Sequence, residues 1–166
     1  MCAVVETPSC ACPEAYPEGL IVALDRLQDP GNLGTILRTA DAFEIPLILA
    51  DGCADPWSEK TVRASMGAVF RSLPRSLSSE AVLSQCRERA IPLCVTALTD
   101  RAEDIRRVPL QSCAVVIGSE GRGVSPAFLE AADRTAVIPM SPRCESLNAA
   151  VAATVVLWRL REASGL

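Results

Sequence analysis

The stretch Thr135–Arg161, TAVIPMSPRCESLNAAVAATVVLWRLR, decides how this chain folds. It begins with a short apolar run ending at Val137 and Ile138, continues through a polar loop, and finishes in a long apolar segment. Pro139 and Pro142 keep the loop out of regular structure, because each fixes φ and lacks a backbone donor. The stretch therefore predicts a strand, a tight loop and a helix in direct succession.

The predicted helix carries no charge over residues 149–158, which indicates burial in a core or against a partner chain. Ser146 is the candidate N-cap, since its hydroxyl can accept from unpaired amides of the first turn. A helix cap explains Ser146 alone, whereas the same loop also holds Arg143, Glu145 and Asn148. Loops on rigid scaffolds often carry function, so we expect a site here.

Working outward, short apolar runs alternate with helical periodicity along the chain. Strands are predicted over residues 20–24, 46–50, 92–96 and 113–117, and helices over 33–43, 58–66, 79–90 and from Ser125-Pro126 onward. Residues 69–73 fit a strand or an extended connection. This alternation predicts an α/β fold with a mostly parallel sheet flanked by helices. Ligands of such sheets bind beyond the carboxyl ends of the strands, which selects the loops 25–34, 96–100, 118–123 and 139–148.

Composition narrows the class of protein. The chain has 166 residues, a formal net charge of −4, a single lysine (Lys60), no histidine and eight cysteines. Without histidine or a C-x-x-C pair, we expect neither a zinc site nor a disulfide framework, no bound metal, and a reduced, cytoplasmic location. The apolar runs are too short to span a membrane. Residues 1–19 lack helical or strand periodicity and are expected to be a flexible lead-in or a linker remnant before a single domain, 20–166.

Two glycine-containing segments could carry chemistry. In Asp29–Arg38, glycines at 31 and 34 permit close backbone approach, Asn32 is expected to open a helix, and Arg38 follows Gly34 by one turn. A plain capped turn explains this pattern equally well. Gly118–Gly123, GSEGRG, follows a buried strand and fits either a ligand loop or a tight connection. Neither segment is a P-loop or a dinucleotide fingerprint.

Taken together, the segments NLGTILRTA, IGSEGRG, and IPM followed by ESLN resemble the three motifs of the SpoU (TrmH-like) family of SPOUT RNA methyltransferases. The resemblance runs from Leu20 to about Arg161. It implies a sheet with a C-terminal trefoil knot, S-adenosyl-L-methionine as cofactor, a homodimer, and methylation of a ribose 2′-hydroxyl in tRNA or 23S rRNA.

The resemblance also implies roles for individual residues. The polar active-site positions match Asn32, Arg38, Glu120, Ser146 and Asn148, and Arg38 is expected to act in the partner subunit's site. The cofactor positions match Thr96, Ala97, Leu98, Gly118, Glu120, Gly121, Ile138, Met140, Ser146, Leu147 and Asn148. Because an arginine side chain keeps its proton, we expect Arg38 to hold phosphate and stabilise the forming alkoxide, with Ser146, Glu120 or water relaying the proton.

Two departures and two alternatives accompany this interpretation. Ala150 stands where relatives often have serine, and only residues 1–19 precede the catalytic region, as in a minimal member or a fragment. The alternatives are a non-catalytic RNA-binding or assembly protein on the same fold, and a SPOUT enzyme that methylates a base. A local basic face from Arg26, Arg38, Arg63, Arg71 and Arg75 would offset the acidic net charge.

Overall fold

The computed structural model describes Glu6, residues 21–119 and residues 121–163. The predicted lead-in, apart from Glu6, and the predicted site residue Glu120 lie outside these ranges.

A sheet of seven strands forms the centre of the described chain, and each neighbouring pair of strands is parallel. The strands are β1 (Ile21–Leu24), β2 (Ile48–Leu49), β3 (Arg75–Ser76), β4 (Leu93–Thr96), β5 (Glu103–Asp104), β6 (Ala114–Ile117) and β7 (Arg134–Val137). Their spatial order is β3-β2-β1-β6-β4-β7-β5. The predicted α/β class with a parallel sheet is confirmed, whereas the trefoil knot stays a prediction.

Helices cover both faces of the sheet. They are α1 (Pro30–Ala42), α2 (Glu59–Ala64), α3 (Ala68–Arg71), α4 (Ser79–Glu88), α5 (Pro126–Ala131) and α6 (Ala149–Ala163), with a short 3₁₀ turn at Leu110–Ser112. Side chains alternate across each strand, so Val22 and Val115 join one apolar cluster with α1 and α6. Ile21 and Val116 join the opposite cluster with α4 and α5.

The four central strands end at the same level. Leu24 is in register with Ile117, Ile117 with Thr96, and Thr96 with Ala136. The loops that follow β1, β4, β6 and β7 therefore leave the sheet side by side. This register brings together segments that lie far apart in sequence, as expected for parallel strands.

Several helix starts differ from the sequence prediction. Asp29, not Asn32, caps α1: its carboxylate accepts from the Asn32 amide at 2.7 Å, and Pro30 occupies the first helical position. Ser78, not Ser79, caps α4 through the Ala81 amide. In both cases the residue just outside the helix has extended backbone, which leaves its side chain facing the first amides.

The segment 69–73, expected as a strand or an extended connection, is mostly the helix α3, so that prediction was wrong. Gly67 precedes it with φ of 83°, and Val69 is buried against α1. A buried valine is compatible with either a strand or a helix. Here the packing of this segment against α1 favours the helix. Within the described ranges, every helix falls short of the length and hydropathy that a bilayer crossing requires.

Gly34 allows α1 and α2 to approach closely. A Cβ atom at Gly34 would lie 2.6 Å from the Ala64 Cβ atom and 2.6 Å from the Thr61 carbonyl oxygen. The close packing of α1 against α2 therefore explains why residue 34 is a glycine, and a bound ligand is not needed to explain it. The adjoining side chain of Thr61 is completely buried and is bound by Ser58 and the Asp55 carbonyl.

Candidate active site

A cavity of about 400 Å³ lies beyond the carboxyl ends of β4, β6 and β7. Three of the four loops selected from the sequence line it. Of the predicted cofactor positions, eight line the cavity: Thr96, Ala97, Leu98, Gly118, Ile138, Met140, Ser146 and Leu147. Gly121 and Asn148 are not among the lining residues, and Glu120 lies outside the described residues. Most of the wall is apolar, with backbone and a few polar groups between the apolar side chains.

The wall after β4 combines a fixed backbone with an exposed side chain. The Ala97 amide donates to the Ala136 carbonyl at 3.1 Å, so it is used by the sheet and is not free for a ligand. The Thr96 hydroxyl donates to the Val116 carbonyl at 3.3 Å. Leu98 is 63% exposed although it is a large apolar residue. Such a side chain at the rim of an apolar cavity can cover a flat, weakly polar ligand.

The glycine loop forms the opposite wall and is closed on itself. Ser119 and Gly123 exchange two backbone hydrogen bonds, of 3.2 and 2.9 Å. A Cβ atom at Gly118 would lie 2.3 Å from the Gly123 carbonyl carbon, so only glycine fits there. Gly121 stands at the tip with open space around its Cα. The loop thus lines the cavity with glycine backbone and with Ser119 and Arg122.

Asn148, not Ser146, caps the last helix. Its Oδ1 atom accepts from the amides of Ala150 at 2.9 Å and Val151 at 3.3 Å, which are the second and third helical residues. The capping prediction for Ser146 was therefore wrong, because α6 begins at Ala149. Ser146 is exposed and lines the cavity. Its hydroxyl is thereby left for a role other than capping.

Asn148 also contacts the first motif. Its Nδ2 atom donates to the Oδ1 atom of Asn32 at 3.1 Å. The first turns of α1 and α6 therefore lie together, next to the cavity wall formed by Leu147 and Ala149. Two of the predicted catalytic residues, separated by 116 positions in the sequence, are in direct contact.

Asp29 holds the first turn of α1, which carries Asn32, through a hydrogen bond from the Asn32 amide. The Asn32 amide, followed by the Lys60 side chain 3.0 Å away, holds the pKa of the Asp29 carboxyl below its ordinary value. Both side chains are largely exposed, so the ion pair adds little stability and the cap hydrogen bond dominates. The ionised carboxylate fixes the turn that presents Asn32 to Asn148.

Arg38 is exposed on α1 and does not line the cavity of its own chain. Three other arginines of the predicted basic face form ion pairs: Arg26 with Asp25, Arg63 with Glu59 and Arg71 with Asp41. The described residues thus bring Asn32, Asn148 and Ser146 to one end of the sheet, whereas Arg38 is not among the residues that line the cavity.

The sequence did not reveal several cavity residues. Arg122 and Leu129 contribute from the glycine loop and α5, and Ala149 and Ala152 from α6. The alanines carry a signal, since small residues three apart on one helix face leave room for a ligand. Arg122 sits within a motif already singled out, but its position gave no reason to choose it.

Comparison with known proteins identifies the chain's relatives. The model of the SpoU rRNA Methylase family matches residues 19–158. The chain belongs to the SpoU family. A SpoU relative, the 23S rRNA (guanosine(2553)-2'-O)-methyltransferase RlmP of Bacillus subtilis, is 35% identical over 142 residues, which cover 85% of this chain and 57% of the relative.

Solved SpoU structures share the fold. An AdoMet-bound rRNA methyltransferase from Sinorhizobium meliloti matches with a TM-score of 0.80 and 37% identity over 89% of this chain and 57% of that one. A structure described as giving insight into 2-OH methylation of C/U34 on tRNA matches with a TM-score of 0.71 and 28% identity over 89% of this chain and 97% of that one. The chain spans about half the length of the curated SpoU relatives it matches.

Proposed function

We propose that residues 20–166 form the catalytic domain of an RNA methyltransferase that transfers the methyl group of S-adenosyl-L-methionine to a ribose 2′-hydroxyl. The single observation that carries the proposal is the contact of Asn32 with Asn148 beside an apolar cavity at the strand ends of a SpoU chain. Cavity and polar pair lie next to each other, as a reaction between a bound cofactor and an incoming hydroxyl requires.

The cavity suits the cofactor in size and chemistry. A volume of about 400 Å³ lies within the usual range for small-molecule sites. Leu98, Ile138 and Leu147 offer apolar surface for an adenine ring, and Gly118 and Gly123 of the glycine loop offer backbone at the cavity wall. Relatives solved with AdoMet (S-adenosyl-L-methionine) bound share this fold, which supports S-adenosyl-L-methionine as the cofactor of this chain.

The bound cofactor would supply an electrophilic methyl group on a sulfonium. Transfer of that methyl group from sulfur to the 2′-oxygen would require the hydroxyl to give up its proton. Ser146 lies at the cavity wall with its hydroxyl uncommitted to the helix cap, so it can receive or relay that proton. Glu120 and water remain the alternative carriers proposed from the sequence.

We propose further that the enzyme is a homodimer in which Arg38 completes the partner's site. On α6, Val151 and Trp158 are 51% and 55% exposed in the single chain, although they lie in the uncharged part of the helix. Trp158 packs against Phe43 at the end of α1, with ring centroids 5.8 Å apart and ring planes tilted by 59°. These residues extend one apolar surface over both helices, and α1 also carries the exposed Arg38. There the guanidinium would hold an RNA phosphate and stabilise the forming alkoxide.

The proposed substrate is ribosomal RNA, with transfer RNA as the second candidate class, because relatives named for each are similar to this chain. A cytoplasmic location fits such substrates, and the cysteines of the described ranges are free thiols.

The test is transfer of labelled methyl from S-adenosyl-L-methionine to purified ribosomal RNA and, separately, to transfer RNA. Label entering either RNA supports the proposal. Cofactor binding without any transfer would favour the non-catalytic RNA-binding alternative.

A further inference from the structure

A buried carboxylate lies under the glycine loop and belongs to none of the motifs assigned above. Asp25, directly after β1, is completely buried. Its Oδ2 atom accepts from the Ser125 amide at 2.6 Å, and its own amide donates to the Ile117 carbonyl at 2.9 Å. A charge in such a place is costly unless it is paired and hydrogen-bonded. The paired groups are those at which the glycine loop leaves and re-enters the fold.

Arg26 binds the same loop through two backbone carbonyls. The guanidinium Nη2 atom donates to the carbonyls of Arg122 at 3.3 Å and Gly123 at 3.4 Å, and Nε lies 3.7 Å from the Asp25 carboxylate. The Arg26 backbone has φ of 55°, in the left-handed region that side-chain-bearing residues seldom occupy. Gly52 makes room for it, since a Cβ atom there would lie 3.2 Å from the Arg26 Cγ atom.

The loop held in this way is a wall of the cavity. Its internal bonds join Ser119 to Gly123, so they set its shape but not its position relative to the sheet. Position is set where the chain leaves the loop, at Val124 and Ser125, and there Asp25 supplies a charged acceptor. Because hydrogen bonds to charged groups are stronger than neutral ones, a carboxylate at this point restrains the loop firmly.

From this geometry we infer that Asp25 and Arg26 are positioning residues for cofactor binding, which hold the wall formed by Gly118, Ser119 and residues 122–124 in its binding shape. The inference rests on the proposed function, since it takes S-adenosyl-L-methionine as the ligand of the cavity. Neither side chain needs to touch the cofactor.

Calorimetric titration of the full chain with S-adenosyl-L-methionine tests the inference. Asp25→Ala should raise the Kd about tenfold or more, because the Ser125 amide loses its acceptor in a buried position. Asp25→Asn keeps an acceptor oxygen and should stay within about threefold of the parent chain. Turnover at saturating cofactor should change by less than about threefold in both, since the reacting groups are untouched.

A control lies at the opposite end of the strands, where β4 and β7 begin. Asp133 accepts from the Leu93 amide at 2.8 Å, so Asp133→Ala removes the same kind of bond far from the cavity. Its Kd should equal that of the parent chain. A folded Asp25→Ala protein that binds the cofactor no more weakly than Asp133→Ala would overturn the inference while leaving the proposed function intact.

A second variant keeps the inference testable if Asp25→Ala does not fold. Arg26→Asn removes the guanidinium but keeps a residue type that tolerates the left-handed region. It should raise the Kd about threefold or more with little change in thermal midpoint, since the Arg26 side chain is partly exposed. An unchanged Kd in this variant would refute the role of the pair. If the parent chain itself fails to bind, the cofactor assignment falls and this inference falls with it.

Discussion

The side chain of Asn148 joins the first turns of two helices: its Oδ1 atom caps α6, and its Nδ2 atom donates to Asn32 of α1 across 3.1 Å. One amide therefore serves stability through one atom and site geometry through the other. The two duties can be separated by substitution, because serine provides a cap but is too short to reach Asn32.

We expect Asn148→Ala to lower the free energy of unfolding by about 1 kcal/mol, through loss of the cap. Asn148→Ser should restore most of that stability. Both variants should lose methyl transfer by between about tenfold and a hundredfold, because each removes the hydrogen bond between residue 148 and Asn32. Denaturant unfolding and an initial-rate assay measure the two effects, and full activity in Asn148→Ser would show that the contact with Asn32 is dispensable.

Ser146→Ala should leave the free energy of unfolding within about 0.5 kcal/mol of the parent value, because Ser146 does not cap α6. Methyl transfer should nevertheless fall, since the cavity loses the hydroxyl proposed to relay the proton. Stability and turnover measured on one preparation decide this. A loss of stability typical of a cap, with turnover preserved, would reverse the roles of Ser146 and Asn148.

The cap at Asp29 predicts a pH dependence. The pKa of Asp29 is lowered in the folded chain, so its stabilising contribution is present above its unfolded value and is lost as pH falls through the folded value. At pH 7, Asp29→Ala should cost about 1 kcal/mol. The gap between parent and variant should shrink below about pH 4, the unfolded range of an aspartate. Urea unfolding at several pH values measures it, and a constant gap would assign the effect to something other than the ionised cap.

Arg38→Lys should bind S-adenosyl-L-methionine with unchanged affinity, since Arg38 does not line the cavity of its own chain. Turnover should fall about a hundredfold, because lysine cannot reproduce the bidentate contact with phosphate. Mixing Arg38→Lys with Ser146→Ala should restore transfer, as one site of a mixed dimer would hold both native residues. Failure of the mixture to recover activity would argue that Arg38 acts within its own chain.

The sequence revealed the class of fold because apolar runs and helical periodicity are local signals. The strands ending at Leu24, Thr96 and Ile117 were found close to their true bounds. Short strands such as Glu103–Asp104 were missed, since two polar residues at a sheet edge carry no apolar pattern. The helix α3 was mistaken because only packing against α1 distinguishes it from a strand.

The sequence predicted the loops of the candidate site but not all of the contacts within it. The strand-end rule selected the loops that line the cavity, and the motifs selected Asn32 and Asn148. Which residue caps α6 depends on where the helix begins, and a boundary shift of two residues exchanged Ser146 for Asn148. The contacts of Asp25 and Arg26 with the glycine loop join residues about a hundred positions apart in the sequence, and no local sequence pattern predicts them.

The most direct test of the central claim is to locate the transferred methyl group within the RNA product. After reaction with labelled S-adenosyl-L-methionine, the RNA is hydrolysed in alkali and the resulting nucleotides are separated. The account predicts that the label resides on a ribose 2′-oxygen, where it blocks alkaline cleavage of the adjacent phosphodiester. Label on a base, with normal cleavage at that position, would contradict it.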